Sequence, residues 1–479
     1  MNRIILYLIL ALNSVGCRNY SKLPLTNVHI EDFGGYGNDL VDDTHAFLLA
    51  ASRLNSGGTL YLKKNQVYIL SPLLISTDIK LIGNGAVLKA NPDIKDKNVG
   101  FNFDRNAVIN NVKFDGVWLA FKTINVTKGI IKNCTFYNQT YSNISIINES
   151  SNIIISYCTF KGKAKGLDGK ASYPCLQITT GSKNITFKNN KCIDVVAGVT
   201  ADGMNQLLQN IVLKNNYFDR LTYYALKTDV GNIFIFENNI VKNALYGVFY
   251  EALDESENYT SLGGNGLVVE QNTFINVERC LYVAGKNPYT EVVFNHNVMN
   301  SCRFGVNRSC GTLKILNNQF INGESLYHYF DALGEGNIFI IKNDIINTIR
   351  CKEIYKDWDG EDIQGSIVLS CGRMFGLGSY YIERNFFKNW EGKAIHIARI
   401  ANSYADIKVI NNKFVKGDDS KNILTIGAAQ IVKVENNILI GIIANPVIMT
   451  NESHVSYKPN SGSKSIYSLK KNSWQEIHN

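Results

Sequence analysis

The sequence lacks three features that would each define a class of protein. None of its ten cysteines forms the CxxC spacing of a metal-binding motif, so a cysteine-based metal site is not expected. No arginine-rich patch interleaved with aromatic residues is present, which argues against DNA or RNA as a partner. After residue 12 no apolar run is long enough to span a bilayer, so any membrane attachment would be through a lipid.

The first 17 residues have the pattern of an export signal. A charged start at Met1 precedes an apolar run from Ile4 to Leu12, which is too short to cross a membrane. Small residues then lead to Cys17, which resembles the lipidated first residue of a bacterial lipoprotein, although Ser14 replaces the usual leucine. We therefore expect export, either as a lipoprotein in the periplasm or on the outer cell surface, or by ordinary cleavage and secretion.

One repeat fills most of the chain and is complete between Val212 and Asp229. Apolar and polar residues alternate up to Asn215 and Asn216, an aromatic residue follows at Phe218, and a second short strand pattern comes after a loop. The same point of the repeat recurs every 22 to 27 residues, with a few insertions, at Cys134, Cys158, Asn190, Asn216, Asn239, Asn272, His296, Asn318, Asn343, Asn385, Asn412 and Asn437.

This spacing predicts an all-β, single-domain parallel β-solenoid of about 13 coils, because each coil needs about three short strands and three turns. The 479 residues, 45% of them apolar, are enough for one large core. Asparagine tolerates the left-handed conformation of a sharp turn, and its amide can hydrogen-bond from coil to coil. We interpret this asparagine ladder as structural.

Nine cysteines follow Cys17, an odd number. Cys134, Cys158 and Cys192 fall at or near equivalent points of the coil. Small apolar groups suit a narrow solenoid core, so the pattern predicts stacked, buried thiols rather than disulfides.

Residues 30–47, IEDFGGYGNDLVDDTHAF, resemble the DFGAxGDGxxDDTxAF motif of the pectate-lyase-like superfamily. The resemblance continues at GGTLYL (57–62), at Tyr68 and at LIGNG (81–85), and with the repeats it covers nearly the whole chain after the signal. Members of this superfamily are right-handed parallel β-helices, and most characterised ones cut or modify acidic polysaccharides. They include polygalacturonases, rhamnogalacturonases, uronan lyases, uronan epimerases and phage tailspikes. The resemblance implies this fold and a polysaccharide partner, and the formal charge of +8 favours an acidic polysaccharide.

The same motif predicts how the solenoid begins. Asp42 or Asp43 is expected to cap a helix from Thr44 to Leu54 that covers the N-terminal end of the core. The apolar face of this helix would consist of Ala46, Phe47, Leu49, Ala50 and Leu54. We divide the chain into a signal (1–17), an N-terminal segment with this cap (27–95), β-helix repeats (96–444) and a C-terminal cap or tail (445–479).

The strongest candidate for a catalytic site is a group of charged residues on three consecutive coils, in VTAD (199–202), YALK (224–227) and VFYE (248–251). If the first and third residues face inward, Asp202, Lys227 and Glu251 point outward and stack in a row. A one-residue slip in the third coil would turn Tyr250 outward instead of Glu251, so Tyr250 is also a candidate catalytic residue. A solvated charge ladder is the alternative interpretation of this row.

Later coils extend the same face. His328 is a candidate proton shuttle or stacking residue, and Arg308 a candidate carboxylate ligand, although a structural role is open for both. The candidate substrate contacts are Thr200, Tyr282, Lys286 and Asn307.

Three functions stay open. A uronan lyase must neutralise the uronate carboxylate, remove the C5 proton and protonate the O4 leaving group, with Lys227 as candidate base and a tyrosine as proton donor. Carboxylates beside Lys227 would raise its pKa, so Asp202 and Glu251 would need to hold Ca²⁺. In pairing a lysine base with calcium, the site is similar in part to the chondroitinase B and alginate lyase group, which has an arginine one coil later where this sequence has Glu251.

A glycoside hydrolase would use Asp202 and Glu251, which lie two coils or about 9.6 Å apart, at the edge of the inverting range. The polygalacturonase motifs NTD, GHG and RIK are missing from the middle coils, and so is the epimerase motif DPHE. A non-catalytic glycan-binding or adhesive solenoid is the third function. We take the lyase as the leading prediction.

Overall fold

The computed structural model describes residues 25–94, 99–139, 141–162, 173–179, 181–203, 208–228, 231–252, 266–285, 291–307, 311–329, 337–351, 355–356, 362–371, 378–400, 406–428, 431–441, 443, 447–449, 454–457, 466–470 and 473–477. The predicted signal with Cys17 lies outside the described residues, as do Lys286 and Arg308. Within these ranges no helix is long and apolar enough to cross a membrane.

The chain winds into a parallel β-helix, which confirms the predicted fold. Each turn passes through three stacks of strands, which we call columns 1, 2 and 3 in chain order, and each strand pairs in parallel with the strand one turn later. Column 1 is a 17-stranded sheet. Columns 2 and 3 form one 28-stranded sheet, because Ile240–Ala252 and Thr273–Gly285 run through both.

The strands are short, as a solenoid requires. Column 1 consists of Leu25–His29, Leu54–Tyr61, Ile79–Ile82, Ala107–Asn110, Gly129–Lys132, Ser151–Ser156, Lys183–Lys188, Leu208–Lys214, Gly231–Glu237, Leu267–Glu270, Glu291–Asn295, Thr312–Leu316, Ile338–Ile341, Ser379–Glu383, Asp406–Ile410, Ile431–Glu435 and His454–Tyr457. Besides the two shared strands, column 2 consists of Val67–Leu70, Val87–Ala90, Lys113–Asp115, Thr135–Tyr137, Thr159–Lys161, Lys191–Ile193, Tyr217–Asp219, Val298–Asn300, Gln319–Ile321, Asp344–Thr348, Phe386–Trp390, Lys413–Val415 and Ile438–Ile440.

Column 3 consists, besides the shared strands, of Leu73–Ile75, Val99–Phe103, Val117–Phe121, Ile144–Ile146, Pro174–Thr179, Ala197–Asp202, Tyr224–Thr228, Phe304–Asn307, Ser325–Tyr329, Ile367–Cys371, Gly392–Ile400, Ser420–Ala428 and Val447–Met449. Two antiparallel pairs lie outside the columns, Tyr355–Lys356 with Asp362–Ile363 and Ile466–Lys470 with Ser473–Ile477. Strand stacking continues past residue 444, since Val447–Met449 and His454–Tyr457 pair with the preceding turn. The division into segments stays a prediction.

The asparagine ladder lies between columns 1 and 2 and is buried. The Oδ1 of Asn216 accepts the backbone N–H of Asn190 at 2.9 Å, and its Nδ2 donates to the carbonyl of Phe187 and to Asn239 Oδ1, at 2.8 and 3.0 Å. At one coil the predicted member was wrong: Asn297, not His296, carries the ladder amide, because it alone bonds to Asn318 through both its N–H and its side chain.

The left-handed residue of this turn is a different one from the ladder residue. It stands one position earlier, as in Asn215, Asn238, Gln271 and His296, with φ between 51° and 57°. The turn therefore divides its two requirements between neighbours: one residue adopts the positive φ, and the next supplies the amide.

We expect Asn216→Ala to lower the free energy of unfolding by about 1–3 kcal/mol, since the buried N–H of Asn190 would lose its acceptor. Asn215→Gly is the matched control, because glycine adopts the left-handed conformation freely and should change stability little. Denaturant unfolding of both variants measures the difference. An unchanged midpoint for Asn216→Ala would contradict the structural role of the ladder.

The N-terminal helix, α1, runs from Thr44 to Arg53. A 3₁₀ turn, Ile30–Phe33, precedes it. Its backbone cap is Asp43, whereas the side chain that bonds to the first turn is that of Asp42, which accepts the N–H of Thr44 at 2.8 Å. The buried face of α1 comprises Ala46, Phe47, Ala50 and Ala51, with Leu54 buried just after it. Leu49, predicted to face the core, is 39% exposed.

Asp43 lies between α1 and column 2, where its Oδ2 accepts the N–H of Ile69 at 3.1 Å. Burial, partly offset by this bond, raises the pKa of Asp43 to about 6 from its ordinary 3.8. Because the folded-state pKa is the higher one, Asp43 contributes stability that is fully present below about pH 4 and is lost as the pH rises through 6. The charged carboxylate therefore destabilises the native state at neutral pH.

We accordingly expect Asp43→Asn to be more stable than the wild type at pH 7, with the difference shrinking to nothing near pH 4. Melting temperatures at pH 4, 5, 6 and 7 measure this. Asp93→Asn, in an exposed turn, serves as the control and should run parallel to the wild type. A constant offset of Asp43→Asn at every pH would contradict the assigned cause.

Among the described residues, seven cysteines are buried free thiols: Cys134, Cys158, Cys175, Cys192, Cys280, Cys302 and Cys351. This agrees with the predicted stacked thiols of the core. Burial raises the pKa of Cys158, Cys192 and Cys280 well above the ordinary value, which keeps these thiols protonated and unreactive.

Candidate functional site

The outward side of column 3 carries a continuous row of polar and aromatic side chains, in register from coil to coil. Each stands one residue after a core residue, as Lys227 does after the fully buried Leu226, and the alternation of the strand therefore turns it away from the core. We call this row, in axial order, the column 3 row: Thr200, Lys227, Phe249, Tyr282, Asn307 and His328.

Asp202, Lys227 and Glu251 do not share one row, contrary to the prediction. Lys227 stands one residue after its core residue, whereas Asp202 and Glu251 each stand three residues after theirs, Val199 and Val248. Both carboxylates still point outward, but they lie two residues further along their strands than the positions that pair with Lys227. The predicted alignment failed because it was counted from the turn, and the turns differ in length.

Lys227 nevertheless contacts Glu251 diagonally, with 3.0 Å between Nζ and Oε2 and both side chains a little over one-third exposed. Its Nζ also lies 5.7 Å from the ring centre of Phe249. Partial burial alone would lower the pKa of Lys227, but the hydrogen bond and charge of Glu251, with smaller effects of Tyr224 and Asp202, raise the pKa above its usual value. Lys227 is thus held in the charged form.

Three aromatic rings form the centre of this face. Phe249 and Tyr282 stack with 5.0 Å between ring centres, and Tyr246 lies 5.1 Å from Phe249 and 5.5 Å from Tyr282. All three are half-buried, so part of each ring faces solvent. Phe249 and Tyr282 lie roughly face to face, whereas Tyr246 stands edge-on to Phe249, and together the partly exposed rings make an apolar platform among charged groups.

Arg279 borders this platform, and the sequence pattern did not single it out. Its guanidinium carbon lies 5.4 and 6.0 Å from the ring centres of Tyr246 and Tyr282. The polar contacts of the guanidinium are long, 3.8 Å to Glu278 and 3.4 Å to the Tyr246 hydroxyl. The buried Nε has no hydrogen-bond partner among the described residues. A ligand cannot reach this buried atom, but the terminal nitrogens, whose contacts are long, keep donor capacity for one.

Tyr224 lies next to Lys227 at the bend where column 2 passes into column 3. Its hydroxyl is 3.0 Å from Thr200 Oγ1, and its strand neighbour one coil later is Tyr246. Tyr224 is half-buried and is one of the groups that raise the pKa of Lys227, so it is a candidate proton donor beside the candidate base.

Tyr250 faces the core and is 3% exposed. Its neighbours in the strand pairing, Thr228 and Val283, are buried as well. The slip that would have turned Tyr250 outward does not occur, since Phe249 takes the outward position. Tyr250 does not reach this face.

His328 is 1% exposed and stacks on Phe304 with 4.8 Å between ring centres. Burial, together with the charges of Arg303 and Arg279, lowers the pKa of His328 to about 4. The imidazole is therefore neutral at physiological pH. Asn307 is also buried, and its amide donates to the backbone carbonyl of His328 at 3.0 Å. Both residues lie beneath the surface, where a structural role fits better than substrate contact.

In the part of the chain that the structure describes, no group of three or more His, Cys, Asp or Glu residues could hold a metal ion. Glu251, one of the two predicted calcium ligands, is already paired with Lys227. A calcium ion held by Asp202 and Glu251 would have to compete with this ion pair. The predicted calcium dependence stays a prediction.

The fold can now be compared with known proteins. Residues 97–261 match the family model described as the right-handed beta helix region. A tailspike protein variant of E. coli bacteriophage HK620 is 10% identical with a TM-score of 0.55, over 90% of this chain and 80% of that chain, and a related variant in complex with a hexasaccharide gives the same values. PfbA, a surface adhesin of Streptococcus pneumoniae, is 15% identical with a TM-score of 0.42, over 95% of this chain and 100% of that chain.

None of the curated proteins has a significantly similar sequence. The likeness to the solved structures concerns the fold, because all identities are low. The resemblance predicted from the sequence is confirmed at this level: the chain is a right-handed parallel β-helix.

Proposed function

We propose that this protein is an exported lyase that binds an acidic polysaccharide along the column 3 row from Thr200 to Tyr282 and cleaves it by β-elimination. The observation that carries the proposal is Arg279, whose partly exposed guanidinium lies against two aromatic rings two coils after Lys227 and makes long polar contacts through its terminal nitrogens. A uronate carboxylate accepts hydrogen bonds of this kind, and a pyranose ring packs on an exposed aromatic face. A tailspike of the same fold binds a hexasaccharide, in keeping with a sugar ligand.

Three side chains have the chemistry that elimination needs. Arg279 would bind the carboxylate and so acidify the C5 proton, and Lys227 would remove that proton. As the C4=C5 double bond forms, the C4–O bond breaks and the leaving oxygen takes a proton from Tyr224. Tyr224 replaces Tyr250 as proton donor, because Tyr250 is buried on the inner side of the strand.

The ion pair with Glu251 determines the pH at which Lys227 can act as a base. Only the neutral amine is a base, and Glu251 raises the pKa of Lys227. The rate should therefore rise towards alkaline pH. No step of this reaction uses Ca²⁺, since Arg279 supplies the positive charge.

Hydrolysis is the second candidate, supported by the positions of Asp202 and Glu251. Each stands three residues after its core residue and points outward, and the coils are two apart, so strand spacing puts the carboxylates roughly 9.6 Å from each other. This lies at the edge of the ~6.5–9.5 Å range of inverting glycosidases.

Export and a lipid at Cys17 are part of the proposal and rest on the sequence of residues 1–17. Incorporation of a radiolabelled fatty acid into the wild type, and its loss in Cys17→Ser, would test the anchor. Soluble, unlabelled protein in the medium would point to ordinary secretion.

One assay tests the reaction. The purified protein is incubated with a panel of uronate polysaccharides, while the absorbance of the unsaturated product and the reducing ends are followed together. Elimination produces both signals in equal amounts, and hydrolysis produces reducing ends alone. Binding of a uronan without either signal would show a non-catalytic glycan-binding solenoid and overturn the enzyme proposal.

A further inference from the structure

A cleft of about 670 Å³ opens on the ridge where column 2 bends into column 3. Each of four coils contributes three consecutive residues to it, namely a left-handed polar residue at the rim, an inward residue in the floor and a residue in the wall, and a fifth coil adds Ile349. The rim residues are Asn243, Asn276, Ser301 and Asn322, with φ between 51° and 56°. The wall residues, in axial order, are Leu245, Glu278, Arg303, Glu324 and Ile349.

Charge alternates along this wall. Arg303 bridges the two carboxylates, with Nη1 2.7 Å from Glu278 Oε1 and Nε 2.9 Å from Glu324 Oε2. Arg303 and Glu324 are nearly buried, with side chains 13% and 6% exposed, whereas Glu278 keeps 32% of its side chain exposed. The buried pair fixes the wall, and Glu278 presents a carboxylate to the opening of the cleft.

The rim adds amide groups at the spacing of the coils. Asn276 Nδ2 donates to Asn243 Oδ1 at 2.7 Å, and both side chains are exposed to solvent. This bond uses one of the two amide protons of Asn276 and leaves its carbonyl oxygen for other partners. The rim and the wall together offer donors and acceptors a few ångströms apart, as a polyhydroxyl ligand requires.

We propose that this cleft is a second glycan site, which binds a neutral sugar. Its volume is within the ~300–1,000 Å³ range of small-molecule sites. Sugar hydroxyls would donate to Glu278 and bond with Asn276 and Asn243, and the apolar ends formed by Leu245 and Ile349 suit the C–H faces of a pyranose. Arg303 is already bound to both carboxylates, so its guanidinium is engaged before a sugar arrives, and this favours a neutral sugar over a uronate. Arg279, whose Nη2 lies 3.8 Å from Glu278 Oε1, borders both this cleft and the aromatic platform.

This site goes beyond the proposed function, because it would bind a neutral sugar on a different ridge from the column 3 row. The two can therefore fail separately. A polysaccharide that contains both neutral and uronate residues could occupy both surfaces of the same chain.

The test uses two probes that differ only at C6, methyl β-galactopyranoside and the corresponding methyl uronate, with saturation-transfer NMR on the full chain. We expect the neutral glycoside to bind and Glu278→Gln to weaken its binding about tenfold, the value of one hydrogen bond to a charged group. Asn276→Gly removes the rim amide without backbone strain, since residue 276 has φ 54°, and should also weaken binding.

Two controls match these variants. Asn138→Gly changes the same left-handed turn position far from the cleft, and Glu270→Gln removes a carboxylate from column 1. Both should bind the neutral probe as the wild type does. The proposal is overturned if the wild type does not bind the neutral glycoside, if the uronate binds through Glu278 equally well, or if Asn276→Gly, with an unchanged melting temperature, binds as the wild type does.

Discussion

Replacement of Lys227 by alanine is expected to lower the rate of uronan cleavage by about 10²–10⁴, the contribution of a positioned acid–base group. The fold should survive, because the side chain points outward and is more than one-third exposed. Initial rates from the absorbance of the unsaturated product measure the loss, and a melting curve checks the fold. A rate within a few-fold of the wild type would remove Lys227 from the mechanism.

Two further variants separate a base from a mere positive charge. Lys227→Arg keeps the charge but cannot act as a base near neutral pH, so activity should stay as low as in Lys227→Ala. Glu251→Gln removes the group that raises the pKa of Lys227. The acid limb of the pH–rate profile should then move to lower pH, because the amine loses its proton earlier.

The hydrolase alternative gives the opposite results. If Asp202 and Glu251 are the acid and base of hydrolysis, Asp202→Asn and Glu251→Gln each abolish activity, and no unsaturated product forms at any pH. EDTA tests the calcium prediction in the same assay. Loss of activity with EDTA and its return with Ca²⁺ would mean that a metal, not Arg279 alone, neutralises the substrate.

The fold was predictable because its determinants are local and repeated. Alternating apolar residues fix the strands, and an asparagine after most strands of column 1 fixes the turn. An error in predicting one coil therefore does not change the prediction for the others. His296 and Asn297 illustrate the remaining ambiguity: either residue type suits the turn, and only the bonds to Asn318 distinguish them. The sequence pattern therefore located the coil correctly and missed the ladder residue by one position.

The candidate site was harder to predict because it depends on register between coils. Lys227 was predicted to align with Asp202, yet it pairs with Thr200, since register is set by the buried residues Val199 and Leu226 and not by distance from the turn. Counting outward from the core residue of each strand would have found the column 3 row. The same count also predicts Tyr250 to be buried.

Arg279 escaped prediction for a different reason. It stands two residues before the core residue Leu281, where a regular strand would point it inward, as Tyr224 and Tyr246 stand two residues before Leu226 and Val248. The chain bends there from column 2 into column 3, and the bend leaves these side chains half-buried on the outer face. Strand alternation does not hold through a bend. The alternation of apolar and polar residues in the sequence therefore does not identify Arg279, which we expect to bind the substrate carboxylate.

Arg279→Ala is expected to raise KM for an acidic oligosaccharide, or Kd where binding is measured directly, by about 10- to 100-fold, the value of a charged hydrogen bond in a partly buried site. Elimination should slow as well, because the carboxylate would no longer be neutralised in the transition state. Arg279→Lys should restore only part of the affinity, since lysine lacks the planar pair of donors and the stacking on Tyr246 and Tyr282.

Lys314→Ala is the charge-matched control for Arg279→Ala, because Lys314 lies on column 1 and pairs with Glu291 at 2.8 Å. Calorimetric titration at low and high salt should show wild-type affinity for the control and a smaller salt dependence for Arg279→Ala, which has one cation fewer at the ligand. Equal losses in Lys314→Ala and Arg279→Ala would mean that net charge attracts the polysaccharide and that no residue of the column 3 face selects it. A loss confined to Arg279→Ala assigns the acidic sugar to the aromatic platform of Tyr246, Phe249 and Tyr282.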